Sequence, residues 1–147
     1  MKKIISTMAV MMFLTSSSSY AEFKSAQQIV PTPMLMLILK SDKQTYIADE
    51  RVSLLLTVKN LGSQGAQLFD GPYLRTRVVF DNKEYKNTGG IAWGGPDAVP
   101  PGSEMNIAVE LSAYGITKDM LNSGEHSVVV KLNGAISNAL SFKIKEK

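Results

Sequence analysis

The chain has 147 residues, 44% of them hydrophobic and 20% charged, with no cysteine and one histidine. The missing cysteines exclude disulfides, thiolate metal sites, iron–sulfur clusters and cysteine nucleophiles, and a lone histidine excludes His-pair metal sites within one chain. The formal charge of +3 reads as mildly basic, but it includes a segment with the marks of a removable address.

Residues 1–21 have the three parts of a secretory signal. Lys2 and Lys3 form a positive start, Ile4 to Leu14 is a mostly apolar run too short to span a bilayer, and Thr15 to Ala21 is polar and small. Ser19-Tyr20-Ala21 puts small side chains where a signal peptidase reads, so cleavage is expected after Ala21 and a periplasmic or secreted location follows. No cysteine follows the apolar run, which excludes a lipoprotein anchor, and no later stretch is long enough for a membrane-spanning helix. Cleavage takes two lysines and no acid, leaving 126 residues with 14 basic and 13 acidic side chains, net +1. A near-neutral chain without a run of Lys and Arg argues against a nucleic-acid partner. Its stability must come from a packed core, and a chain this long buries roughly two-thirds of its surface.

Glu22 to Pro33 is polar and ends in Pro-Thr-Pro, an extended arm. From Met34 onward short apolar runs alternate with turn residues, the pattern of an all-β sandwich. Met34 to Leu39 is apolar on both faces and reads as a strand covered on both sides. Arg51 to Lys59 alternates, with Val52, Leu54, Leu56 and Val58 on one face. Ala66 to Phe69 is a short strand closed by Asp70-Gly71-Pro72. Leu74 to Phe80 sets Leu74, Thr76, Val78 and Phe80 on one side, and Asp81-Asn82-Lys83 turns the chain into Glu84 to Lys86. Thr88 to Ser103, rich in glycine and proline, reads as a long loop. Met105 to Leu111 alternates again, Thr117 to Leu121 suits one helical turn, and Glu125 to Leu132 faces His126, Val128, Val130 and Leu132 inward. Asn133-Gly134 suits a hairpin turn, and Leu140, Phe142 and Ile144 close the sheet. The expected fold is an Ig-like antiparallel β-sandwich of seven to eight strands spanning residues 34–147.

Asp42-Lys-Gln-Thr-Tyr46 followed by Glu50-Arg-Val52 resembles the D-K-x-x-Y-x-x-G-E-x-V opening of bacterial Ig-like sandwiches, found in macroglobulin-type domains and in the intracellular proteinase inhibitor family. Val58-Lys-Asn60, Pro101-Gly-Ser-Glu104, the corner Asn122-Ser-Gly-Glu-His126 and the closing Ser137-Asn138 strand resemble further parts of that pattern. Asp49 stands where the family prefers glycine and His126 where it prefers tyrosine, and residues 70–100 depart from it. The resemblance implies the sandwich and, as one functional form, proteinase inhibition.

His126 is the sole imidazole; its place at the corner favours a structural hydrogen bond over general-base chemistry. No nucleophile setting of the G-x-S-x-G type is present, and the carboxylates are too scattered to group as calcium ligands. No catalytic residue, metal or cofactor is therefore expected. Trp93, flanked by glycines in Gly89-Gly-Ile-Ala-Trp-Gly-Gly95, is the candidate anchor for a protein partner, with Ile91 beside it and Tyr73 after Gly71-Pro72; a lid folded over the core is the other reading of Trp93. The expectation is an exported protein-binding module that is not an enzyme. The alternative is an assembly subunit that pairs through the 34–39 edge or the arm.

Overall fold

The computed structural model describes residues 34–89 and 95–147. The expected signal and arm, and the candidates Ile91 and Trp93, lie outside the described residues. In chain order the strands are β1 (Leu35–Ser41), β2 (Thr45–Ile47), β3 (Leu54–Asn60), β4 (Ala66–Gln67), β5 (Phe69–Asp70), β6 (Tyr73–Leu74), β7 (Arg77–Phe80), β8 (Lys83–Lys86), β9 (Ala98–Val99), β10 (Glu104–Val109), β11 (Gly124–Leu132), β12 (Ala135–Ile136) and β13 (Leu140–Lys145). Two 3₁₀ turns, Leu111–Tyr114 and Lys118–Met120, join β10 to β11.

The strands form an Ig-like β-sandwich. One sheet runs β1-β3-β10 and the other β2-β13-β11-β7-β8, with β12 added on β11. Pairing is antiparallel except for β2 on β13. The alternation read from sequence is the alternation of burial. Leu37, Leu39, Leu54, Leu56, Val58, Ile107 and Val109 point inward from the first sheet, and Val78, Phe80, Val128, Val130, Leu132, Phe142 and Ile144 meet them from the second. Two facing apolar surfaces of this kind are the stable way to dry both sheets at once.

Two hairpins close through two-residue turns with positive φ at both positions: Asp81 and Asn82 (45° and 68°) between β7 and β8, and Asn133 and Gly134 (48° and 83°) between β11 and β12. This handedness matches strand twist and suits Asn, Asp and Gly. Asp49 also sits at positive φ, 72°, which explains why the resembling family prefers glycine there. Around it, Glu50 pairs with Lys43 and accepts the Ile47 N–H (3.0 Å), while the Tyr46 hydroxyl donates to Asp42.

Three local expectations change. The 88–103 stretch is not all loop, because Ala98–Val99 forms β9 on β4; a two-residue strand is too short for alternation to announce it. The Leu111–Tyr114 turn follows β10 directly, where strand alternation was expected to run on through Leu111. β1 is covered on one face only: Leu37 and Leu39 are buried, whereas Met34 and Met36 are exposed. The β1 edge is instead closed by a side chain. Asn138 accepts the Leu39 N–H (2.8 Å) and donates to the Leu39 carbonyl (3.0 Å), occupying the place of a neighbouring strand.

One fully buried polar residue ties one end of the sandwich. Asn60 Nδ2 donates to the carbonyls of Gln64 (2.6 Å) and Val99 (2.9 Å), and its Oδ1 accepts the Gly62 N–H (3.0 Å). Its main chain bonds to Gly102 and Ser103.

Candidate protein-interaction face

Of the three partner-binding candidates, the described residues include Tyr73. It stands at the start of β6, opposite Asp70 across the Gly71-Pro72 turn, where Gly71 has φ 59°. A glycine with positive φ ahead of a proline is what a tight hairpin of this kind requires. The hairpin is anchored from below by Phe69 and Leu74, both buried, so Tyr73 is held outward at 46% exposure.

Tyr73 lines a hollow of about 400 Å³ together with Asp70, Arg75, Arg77, Lys86 and Asn87. A second hollow of about 280 Å³ shares Arg75, Arg77 and Asn133 with the first and continues to Lys131 and Ile136. Beneath the first hollow, Thr76 bonds to the buried Tyr114 hydroxyl. Burial pushes the Tyr114 phenol up, with Thr76 and Asn87 opposing. The amide atoms of Asn87 are themselves buried and close no hydrogen bond of normal geometry. Just beyond, the Thr88 and Gly89 N–H groups both donate to the Ala113 carbonyl, pinning the start of the glycine-rich segment.

The strand register assembles charges that are far apart in sequence. Lys131 lies opposite Arg77, and Arg77 opposite Lys86, with Ile136 flanking Lys131. Sequence reading missed this row because its members belong to three strands, and only their pairing shows that they are neighbours. The signal available was that each occupies an outward position of its alternating strand. Glu84 bonds to both Arg77 and Lys131 (2.7 Å each). The Lys131 and Arg77 hydrogen bonds hold its carboxyl down at about 2, against an ordinary 4.5. A carboxylate depressed by folding contributes stability that is complete above its unfolded value and lost as pH falls through the folded one. Glu84→Gln is therefore expected to flatten the pH dependence of unfolding between about pH 4.5 and 2 and to leave its shape above pH 5 unchanged. Urea melts of both proteins at stepped pH measure this; parallel curves across that window would refute it.

His126 lies away from this face and has no free ring nitrogen. It is buried, stacked on Phe80 (centroids 5.2 Å apart, 18° between planes) and tilted against Phe142. Nδ1 meets Asp81 Oδ2 at 2.7 Å, and Nε2 donates to the Asn122 carbonyl at 2.8 Å. The bond to a carbonyl four residues upstream is the corner contact that a tyrosine makes in related sandwiches. A further hollow of about 440 Å³ has Val52, Leu111, Ile116 and Leu121 among its lining residues. The Arg51–Glu110 and Lys147–Asp49 pairs stand beside it. Among the described residues no three His, Asp or Glu side chains converge as metal ligands would, and no helix is long and apolar enough to cross a membrane.

No family model and no curated protein matches the chain. Solved structures do. The CARDB domain of a Pyrococcus furiosus protein, solved with di-metal ions, is similar at 15% identity and TM-score 0.51, over 79% of this chain and 96% of that one. The alkylpurine DNA glycosylase AlkC of Pseudomonas fluorescens is similar at 15% and 0.51, over 77% of this chain and 31% of its own. A β-glucosidase from Listeria innocua is similar at 12% and 0.53, over 91% of this chain and 21% of its own. Likeness at this identity shows the fold alone. It also corrects the expectation that the chain is not an enzyme, since two of these neighbours are enzymes that carry the same sandwich. The expectation rested on residue types that are missing, and a sandwich with few reactive side chains can still be a part of a catalytic chain.

Proposed function

We propose that this chain is an exported protein-binding module of the bacterial periplasm or envelope, with its binding face around Tyr73. The signal-like residues 1–21 support export. The observation that carries the binding role is a half-exposed tyrosine beside a hollow, on a hairpin whose Phe69 and Leu74 are buried; tyrosine is among the side chains that contribute most to interfaces. Asn138, by sealing β1 at Leu39, counts against strand addition at that edge. Proteinase inhibition is the finer form of the reading; it rests on the sequence resemblance, and slowed turnover in a titration against purified proteases would establish it.

The test is a photo-crosslinking amino acid placed at Tyr73 in the full chain, expressed in its host, with Thr57 on the outer face of the opposite sheet as the control position. A discrete protein adduct from position 73 and none from position 57 is expected. Adducts from both, or from neither, would overturn the assignment of this face.

A further inference from the structure

We infer that the outer face of β8, β7 and β11 takes an acidic segment of the partner protein, an inference that rests on the binding role proposed above and adds its chemistry. Side chains directly opposite on paired strands lie about 5 Å apart, and like charges there repel. The row Lys131, Arg77, Lys86 sets three cations side by side in this way. Glu84 pairs with the first two but offsets only one of their charges. Lys86, and Arg75 two residues before Arg77, are exposed and have no carboxylate partner among the described residues. On the opposite sheet, by contrast, Lys59 faces Glu104 and bonds to it.

An unneutralised row works against the fold unless something anionic completes it. The two hollows flanking Arg75 and Arg77 supply room for carboxylates, and Arg presents the planar fork that grips them in pairs. Asp70 and Glu84 are acids that line the two hollows, and Glu125 stands further along the outward side of β11. They break the field that a uniformly charged backbone needs, and among the described residues Tyr73 is the sole aromatic lining either hollow, too few for stacking of successive bases. With Tyr73 at one end and Ile136, 62% exposed, at the other, the strip suits a peptide that alternates acidic and apolar residues better than a nucleic acid or a lipid surface.

The probe is fluorescein-labelled decaglutamate, titrated with the full chain by fluorescence anisotropy at low salt. The comparison arms are a ten-residue thymidine oligomer and phosphatidylglycerol vesicles. Arg75→Glu with Lys86→Glu is expected to weaken decaglutamate binding by about tenfold or more, since two attractions become repulsions. Lys40→Glu with Lys145→Glu changes net charge equally at exposed sites elsewhere, and is expected to weaken it by less than about twofold. Equal losses in the two double variants, no binding of decaglutamate, or tighter binding of the oligomer or vesicles would overturn the inference. Far-ultraviolet circular dichroism of both variants confirms that they remain folded. The crosslink at position 73 keeps the two conclusions apart. A persistent adduct with no decaglutamate binding defeats the acidic chemistry alone, and a lost adduct defeats the binding face itself.

Discussion

Asn60→Leu is expected to cost about 2–4 kcal/mol of unfolding free energy, because it removes three main-chain hydrogen bonds made by a fully buried side chain, the one to Val99 buried and those to Gln64 and Gly62 part-buried. The Gln64 and Val99 carbonyls lose their donor and the Gly62 N–H loses its acceptor, and leucine has nothing to offer them. Asn60 has no accessible surface, so water does not reach the buried Val99 carbonyl without opening the end of the sandwich. Set against a typical domain stability of about 5–15 kcal/mol, this is a large fraction. Denaturant melts of the wild type and the variant measure it. Asn60→Asp is expected to be no better, since a carboxylate would face two carbonyls. Gln64→Ala is expected to lie near wild type, because residue 64 takes part through its main chain. A loss below about 1 kcal/mol in Asn60→Leu would mean that the loop repartners with solvent.

His126→Phe is expected to cost about 2–3 kcal/mol while keeping the stack on Phe80 and Phe142, since it removes two hydrogen bonds from a buried ring. Asp81 then loses its buried partner, although its other oxygen still accepts the Ser127 N–H at 2.8 Å. The Asn122 carbonyl loses its only side-chain donor among the described residues. His126→Tyr offers one hydroxyl to that corner and is expected to recover part of the loss, as the resembling family's preference implies. Equilibrium unfolding of the three proteins orders them: wild type, then Tyr, then Phe. A Phe variant as stable as wild type would show that the ring is held by stacking alone.

The large strands were readable in the sequence because a sandwich writes its two faces as alternation. Val52 to Val58, Thr76 to Phe80, Met105 to Val109 and His126 to Leu132 each carry the period of two that burial imposes. The two hairpin turns were readable because positive φ is chemically selective, and Asp81-Asn82 and Asn133-Gly134 are residues that tolerate it. The Asn60 network was not readable. A buried asparagine and an exposed one look alike in sequence, and its partners are carbonyls, which every residue has. The cationic row was hidden for a related reason. Arg77, Lys86 and Lys131 are unremarkable outward residues until register sets them side by side. Tyr73 was singled out because it follows the Gly71-Pro72 turn, and the hairpin that sets it outward shows only in the pairing of β5 and β6.

The clip that Asn138 places on Leu39 spans 99 positions of sequence. β1 opens the described part of the chain, and the residue that plugs its edge arrives close to the end. A chain delivered N-terminus first therefore carries an unsealed, apolar β1 until the last strand is in hand. Contacts of such long separation form late and slow folding. During that interval Met36 and its neighbours stand as a template for wrong pairing, within the chain or with another copy. The order of synthesis thus makes residues 137–145 a closing step, and a chain cut short before Asn138 would keep its β1 edge open however well the remaining strands had formed.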